Sequence, residues 1–138
     1  MKCFVDTGGF AALYHRTDSY HAKAKTIWAF LREKQALLYT SRDVLSETLT
    51  LVRRRTGIQQ ALICGEDLWA SPVLEILRPD ARQDQEAWDL FRKYHDKDLS
   101  FVDCLSFVFM REYRIHQAFT FDRHFTQAGF EMVEAEGK

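Results

Sequence analysis

Short apolar runs alternate with longer amphipathic segments along almost the whole chain, and this alternation restricts the fold more than any single residue does. Met1 to Val5 is an apolar run too brief for a helix. It reads as a strand ending at Asp6, with Gly8 and Gly9 permitting a tight turn after it. Ser19 to Lys34 reads as a helix capped by Ser19, and Leu37 to Thr40 returns to strand. Arg42 to Thr56 and Ile58 to Ala70 form two helices parted by Gly57, a helical hairpin. Val73 to Leu77 is the next strand; after Pro79, Asp80 and Gln83 are spaced as a capping pair for a helix reaching Tyr94. Ser100 caps a helix to about Tyr113, Gln117 to Phe121 is a strand, Asp122 opens a short helix ending near Gly129, and Glu131 to Val133 is a last strand. A parallel connection must cross the sheet, and a helix is the usual way back. The expected fold class is therefore α/β: three layers, with a mostly parallel central sheet flanked by helices on both faces.

A chain of 138 residues, 46% of them hydrophobic, fits one domain with an ample core. A single domain over residues 1–138 is expected, with residues 133–138 as a frayed tail. Cys3, Cys64 and Cys104 lie in apolar surroundings and form no zinc-ligand spacing, so they read as buried free thiols of a reducing cytosol. No stretch is apolar enough for a signal peptide or a membrane span, so a soluble, cytoplasmic protein with no membrane partner is expected. The formal net charge of -1 supplies no global field to draw in a nucleic-acid backbone, so any polyanion site must be local.

Within the apolar run SFVDCLSFVFM, Ser100 to Met110, a single charged residue stands out: Asp103. It is three residues after Ser100, so it can serve as the acidic member of a capping box. Capping, however, explains one oxygen and leaves the charge poorly solvated on a largely buried helix. Ligands of parallel α/β sheets bind at the carboxyl ends of the strands. Asp6 ends the first strand and Asp122 follows AFTF, so both reach that rim, although each has the alternative reading of a helix cap. Glu47 borders the apolar face of its helix, and taken alone reads as a surface glutamate. Together, four carboxylates in one cleft would raise one another's pKa unless positive charge sits between them. Magnesium or manganese suits an all-oxygen set, whereas zinc recruits His or Cys, and none of the five histidines has metal-site spacing. Such a site hydrolyses phosphodiesters.

FVDTGGFAAL, DVLSETLTLV, LSFVDCLSFVFM and AFTFDRHFTQAGF, in that order, resemble the PIN domain, and within it the small VapC-type toxins of toxin-antitoxin pairs. The likeness spans nearly the whole chain. The four acidic positions of the family match Asp6, Glu47, Asp103 and Asp122, and its hydroxyl-bearing residue matches Thr120. The resemblance implies a magnesium- or manganese-dependent endoribonuclease in which these acids hold the ion and Thr120 orients a carboxylate or water. It further implies products with a 5′-phosphate and a 3′-hydroxyl, a small antitoxin partner and a homodimer. Some relatives carry a further acid after the last aspartate. Here Arg123 and His124 stand there, so one firmly held ion is the expectation.

Arg16, Arg42, Arg123 and His124 are candidate RNA-binding residues at the entrance, and His15 is grouped with them. The run Arg53 to Arg55 has two readings, phosphate contact and compensation of a helix C-terminus, of which the second is preferred. Trp28, Trp69 and Trp88 read as core or interface anchors. Three alternatives stay open. One is an RNA-processing nuclease that is not a toxin. Another is an aspartyl-phosphate phosphohydrolase, which wants a second aspartate where this chain has Gly8. The last is an inactive interaction module whose acids only cap helices.

Overall fold

A computed structural model describes residues 1–135 of the chain. Five strands form one sheet: β1 Lys2–Val5, β2 Leu37–Ser41, β3 Leu74–Leu77, β4 Gln117–Phe119 and β5 Glu131–Met132. Their spatial order is β3-β2-β1-β4-β5, and every pairing is parallel. The helices are α1 Thr7–Tyr14, α2 His21–Glu33, α3 Arg42–Thr56, α4 Ile58–Trp69, α5 Ala81–Lys93, α6 Phe101–Glu112 and α7 His124–Gln127. This is the three-layer arrangement expected from the alternation.

Strand register shows which helices cover which face. Phe4 pairs with Tyr39 on one side and with Ala118 on the other, so these three share a face, while Phe119 pairs with Val5 on the opposite face. Tyr39 meets Tyr113 at the end of α6, with ring centroids 6.1 Å apart. Phe119 meets Trp28 of α2 at 6.4 Å. Thus α2 and α6 lie on opposite faces. Cys3, Phe4 and Val5 of β1 are fully buried between these layers, as expected of a central strand with hydrogen-bonded neighbours on both edges. All three cysteines are free and buried. No helix among the described residues is long and apolar enough to cross a membrane.

Local chemistry sets the helix ends. Ser41 accepts from the Val44 amide at 3.0 Å to start α3, which stops at Gly57 with φ of 100°. Asp80 and Gln83 form the expected capping box of α5, and Ser100 and Asp103 that of α6.

Several expected boundaries are corrected. Gly8 and Gly9 do not form a turn; they lie in the first turn of α1, which the sequence reading missed altogether. The reason for Gly9 is spatial: a Cβ there would stand 2.6 Å from the Phe119 carbonyl oxygen. Ser19 is not the cap of α2, which begins at His21, and it is Asp18 that accepts from the Tyr20 amide at 2.8 Å. β4 ends at Phe119 rather than Phe121, and α7 starts at His124 rather than Asp122. Of the tail expected to fray, Val133 donates to the Ala118 carbonyl at 2.9 Å, and both Val133 and Ala135 are buried. Residues 136–138 lie outside the described residues.

Candidate active site

The chain leaves β1 for one side of the sheet and β4 for the other, so a crevice opens between their carboxyl ends, the place where parallel α/β sheets bind ligands. Asp6 continues β1 by one residue, its amide donating to the Phe119 carbonyl at 3.1 Å. Its side chain is buried and makes no cap to α1, so the helix-cap reading fails for this residue. Thr120, just past β4, is also buried; its hydroxyl donates to Asp6 Oδ2 at 3.0 Å and accepts from the Asp122 amide at 3.1 Å. One threonine thereby ties the ends of two adjacent strands together. Asp6 Oδ1 is buried without a hydrogen-bond partner.

Glu47 and Asp103 come from helices. Packing of α1 on α3 brings the Thr7 hydroxyl to Glu47 Oε1 at 2.6 Å. Thr7 was not singled out from the sequence, although a hydroxyl directly after the strand-end aspartate was a usable signal. Asp103 sits in the first turn of α6, whose N-terminus faces the rim because its C-terminus leads into β4. The Ser100 amide donates to Asp103 Oδ2 at 3.0 Å, so the capping-box reading holds for one oxygen. Asp122 Oδ1 accepts from the His124 amide at 2.9 Å, and His124 Nδ1 lies 2.8 Å from the same oxygen.

The acids act on one another. Burial pushes the Asp6 carboxyl up from 3.8 to about 7; the charges of Asp103 and then Glu47 add to the rise, and the nearby Thr7 backbone amide and the Thr120 hydroxyl oppose it. Asp103 is also raised, first by burial and then by Asp122 and Glu47, against the bonds from Ser100. Asp6 thus feels the charges of Asp103 and Glu47, and Asp103 those of Asp122 and Glu47. Among the described residues, no three acidic, histidine or cysteine side chains stand close enough to cage an ion as they are. An all-oxygen set with a partnerless buried oxygen still fits a hard ion such as magnesium, which keeps several waters and needs only one or two direct carboxylates.

The outer candidates separate. Arg42 lines a cleft of about 440 Å³ together with Thr7 and Glu47. His124 faces Asp122, and Arg123 precedes α7. Arg16 and His15 line a different cleft with Arg55 and Gln60, apart from the carboxylates. Gly8 occupies the position where the phosphohydrolase alternative needs its second aspartate.

Residues 3–131 match the PIN domain. The chain is 37% identical over 133 residues to the 23S rRNA-specific endonuclease VapC20 of Mycobacterium tuberculosis, covering 96% of this chain and 98% of that protein, in two strains. The crystal structure of that VapC20, described as a sarcin-ricin loop cleaving toxin, superposes with a TM-score of 0.88 at 36% identity, covering 96% and 98% of the two chains. The structure of FitAcB from Neisseria gonorrhoeae has a TM-score of 0.62 at 14% identity with 99% of each chain covered, a likeness of fold alone. Sheet order, the Thr120 bond to Asp6 at the strand ends, and 37% identity over nearly the whole length of a toxin endonuclease agree: the chain belongs to the PIN domain family, among its VapC-type toxin endonucleases.

Proposed function

We propose that the protein is a magnesium- or manganese-dependent endoribonuclease and the toxin of a toxin-antitoxin pair. The observation that carries this reading is Asp6 Oδ1, buried and unpartnered at the strand ends, with the charges of Asp103 and Glu47 raising the Asp6 carboxyl and that of Asp122 raising Asp103. These four acids hold the ion, directly or through water. When bound, the ion offsets charge building on the phosphate and lowers the pKa of the attacking water. The chain's own residues do the rest. Thr120 fixes the Asp6 carboxylate by its 3.0 Å bond and holds the Asp122 backbone at the same time. Thr7 does the same for Glu47, and Ser100 for Asp103. Arg42 at the mouth of the cleft, with Arg123 and His124 beside Asp122, receives the RNA backbone. Arg16 is left out of this set because it lines another cleft.

The relative's substrate suggests the RNA: ribosomal RNA carrying the sarcin-ricin loop, met in the cytoplasm. A small antitoxin restrains the enzyme, which acts as a homodimer. The test is to incubate purified wild type and Asp103→Asn with ribosomes in magnesium and map the new RNA ends. Wild type is expected to leave one dominant cut with a 5′-phosphate, lost in the variant and on chelation of the metal. Equal cutting by both proteins would point to a contaminating nuclease and remove the proposal. Expression without antitoxin should arrest growth; cutting without arrest would move the reading to a processing nuclease.

A further inference from the structure

The three consecutive arginines at the end of α3 do not share one fate. Arg55 approaches Asp18, Nη1 to Oδ2 at 3.8 Å, and faces the cleft that contains Arg16. Arg53 is exposed and lines neither cleft. Arg54 lines the cleft that holds Glu47 and Thr7, as Arg42 does from the other end of the same helix. Between the two arginines stand Ser46 and Thr50, so exposed polar side chains recur at every fourth residue from 42 to 54. Among the described residues neither Arg42 nor Arg54 is ion-paired, unlike Arg82 and Arg92, which have acidic partners.

From this the structure assigns a substrate track: α3 carries the RNA strand along the stripe Arg42, Ser46, Thr50 and Arg54, with Arg54 as the distal phosphate-binding residue. Twelve residues of helix span about 18 Å, room for a few nucleotides of an RNA strand. The charge logic is local. A strand entering beside Glu47 and Asp43, which also lines this cleft, brings more negative charge, and the cations Arg42 and Arg54 at both ends of the approach offset it where the net charge of the chain cannot. The Ser46 hydroxyl between them suits a phosphate oxygen or a ribose hydroxyl, while the Thr50 hydroxyl donates to the Ser46 carbonyl at 3.0 Å and is left as an acceptor for a ribose hydroxyl. Among the described residues Leu51 and Val102 are the apolar side chains of this cleft and Arg42 and Arg54 its cations, so charge favours a polyanionic strand as the occupant. This inference rests on the endoribonuclease reading.

The test compares Arg54→Gln and Arg54→Lys with Arg53→Gln as the neighbouring control. Cleavage is followed on a transcript containing the sarcin-ricin loop. Binding is followed by anisotropy of a fluorescent hairpin of the same sequence in magnesium, with each substitution placed in the non-cutting Asp6→Asn background. Arg54→Gln is expected to raise KM about tenfold with kcat kept within about twofold, and to flatten the dependence of log affinity on log salt by roughly 0.7 to 0.9. Arg54→Lys should recover most of the salt slope, and Arg53→Gln should match wild type. If wild type cuts while Arg54→Gln and Arg53→Gln keep the same KM and salt slope, the track is overturned and the nuclease reading stands. If wild type does not cut and Asp6→Asn does not bind, the nuclease reading itself falls and the track falls with it.

Discussion

Asp6 is the residue on which electrostatics and function meet. Its carboxyl is raised from 3.8 to about 7, so between those pH values the folded protein keeps a proton that the unfolded chain has released. The contribution to stability is therefore fully present below about pH 4 and is lost as pH rises through 7, a loss on the order of 4 kcal/mol if uncompensated. In metal-free buffer the melting temperature should fall across that window and level off above it. Asp6→Asn should abolish the fall and stabilise the metal-free protein at pH 8 by about 1–3 kcal/mol while removing nuclease activity. Thermal melts of both proteins from pH 4 to 9 check this; a parallel fall in the variant would place its cause elsewhere. Asp103 shows the same tension in milder form. Its capping role and the poor solvation of its charge were both visible in SFVDCLSFVFM, because the Ser100 spacing and the apolar surroundings are local features. Thr7 offered only its place after Asp6, and its partner could not be read, because Glu47 stands forty positions away.

At the scale of elements, α1 is the instructive case. Two glycines straight after a strand read as a turn, since glycine disfavours helix by about 1 kcal/mol relative to alanine. Packing overrides that preference. Gly9 lies so close to the Phe119 carbonyl that only a residue without a Cβ lets α1 pack over the end of β4. Gly57 is required for a different reason: it ends α3 with φ of 100°, with open space around it. The two should respond differently to alanine. Gly57→Ala is expected to cost about 1–3 kcal/mol from backbone strain alone, since its φ of 100° and ψ of 172° suit only glycine, and to leave RNA cleavage intact. Gly9→Ala should cost about 1–3 kcal/mol or more by overpacking, and should lower cleavage at temperatures where the protein is still folded, since shifting α1 moves Thr7 and Asp6. Chemical denaturation with parallel cleavage assays separates the two; equal losses of cleavage would sink the distinction. Helices α3, α5 and α6 raised no such difficulty, because each has its cap and its apolar face within one segment.

For the whole molecule, the test of the site is a divalent ion's effect on stability. Magnesium or manganese should raise the melting temperature of the wild type at pH 8 in proportion to the logarithm of its concentration, while leaving Asp6→Asn and Asp103→Asn much less affected. A rise of the same size in all three would mean that the ion binds elsewhere. Mass at the dimer value in sedimentation would support the homodimer. The alternation of short apolar runs and amphipathic segments fixed the fold class by itself, because hydrophobic periodicity and helix caps are written in neighbouring residues. It also supplied four acids with nowhere apolar to hide. What the sequence could not decide was which atoms would face each other: the bond from Thr120 to Asp6 spans 114 positions, the Thr7 bond to Glu47 spans 40, and the arginine run was divided among different surfaces. Those outcomes depend on strand order and on how closely α1 rests on β4, and distance through space is a property that only the packed chain possesses.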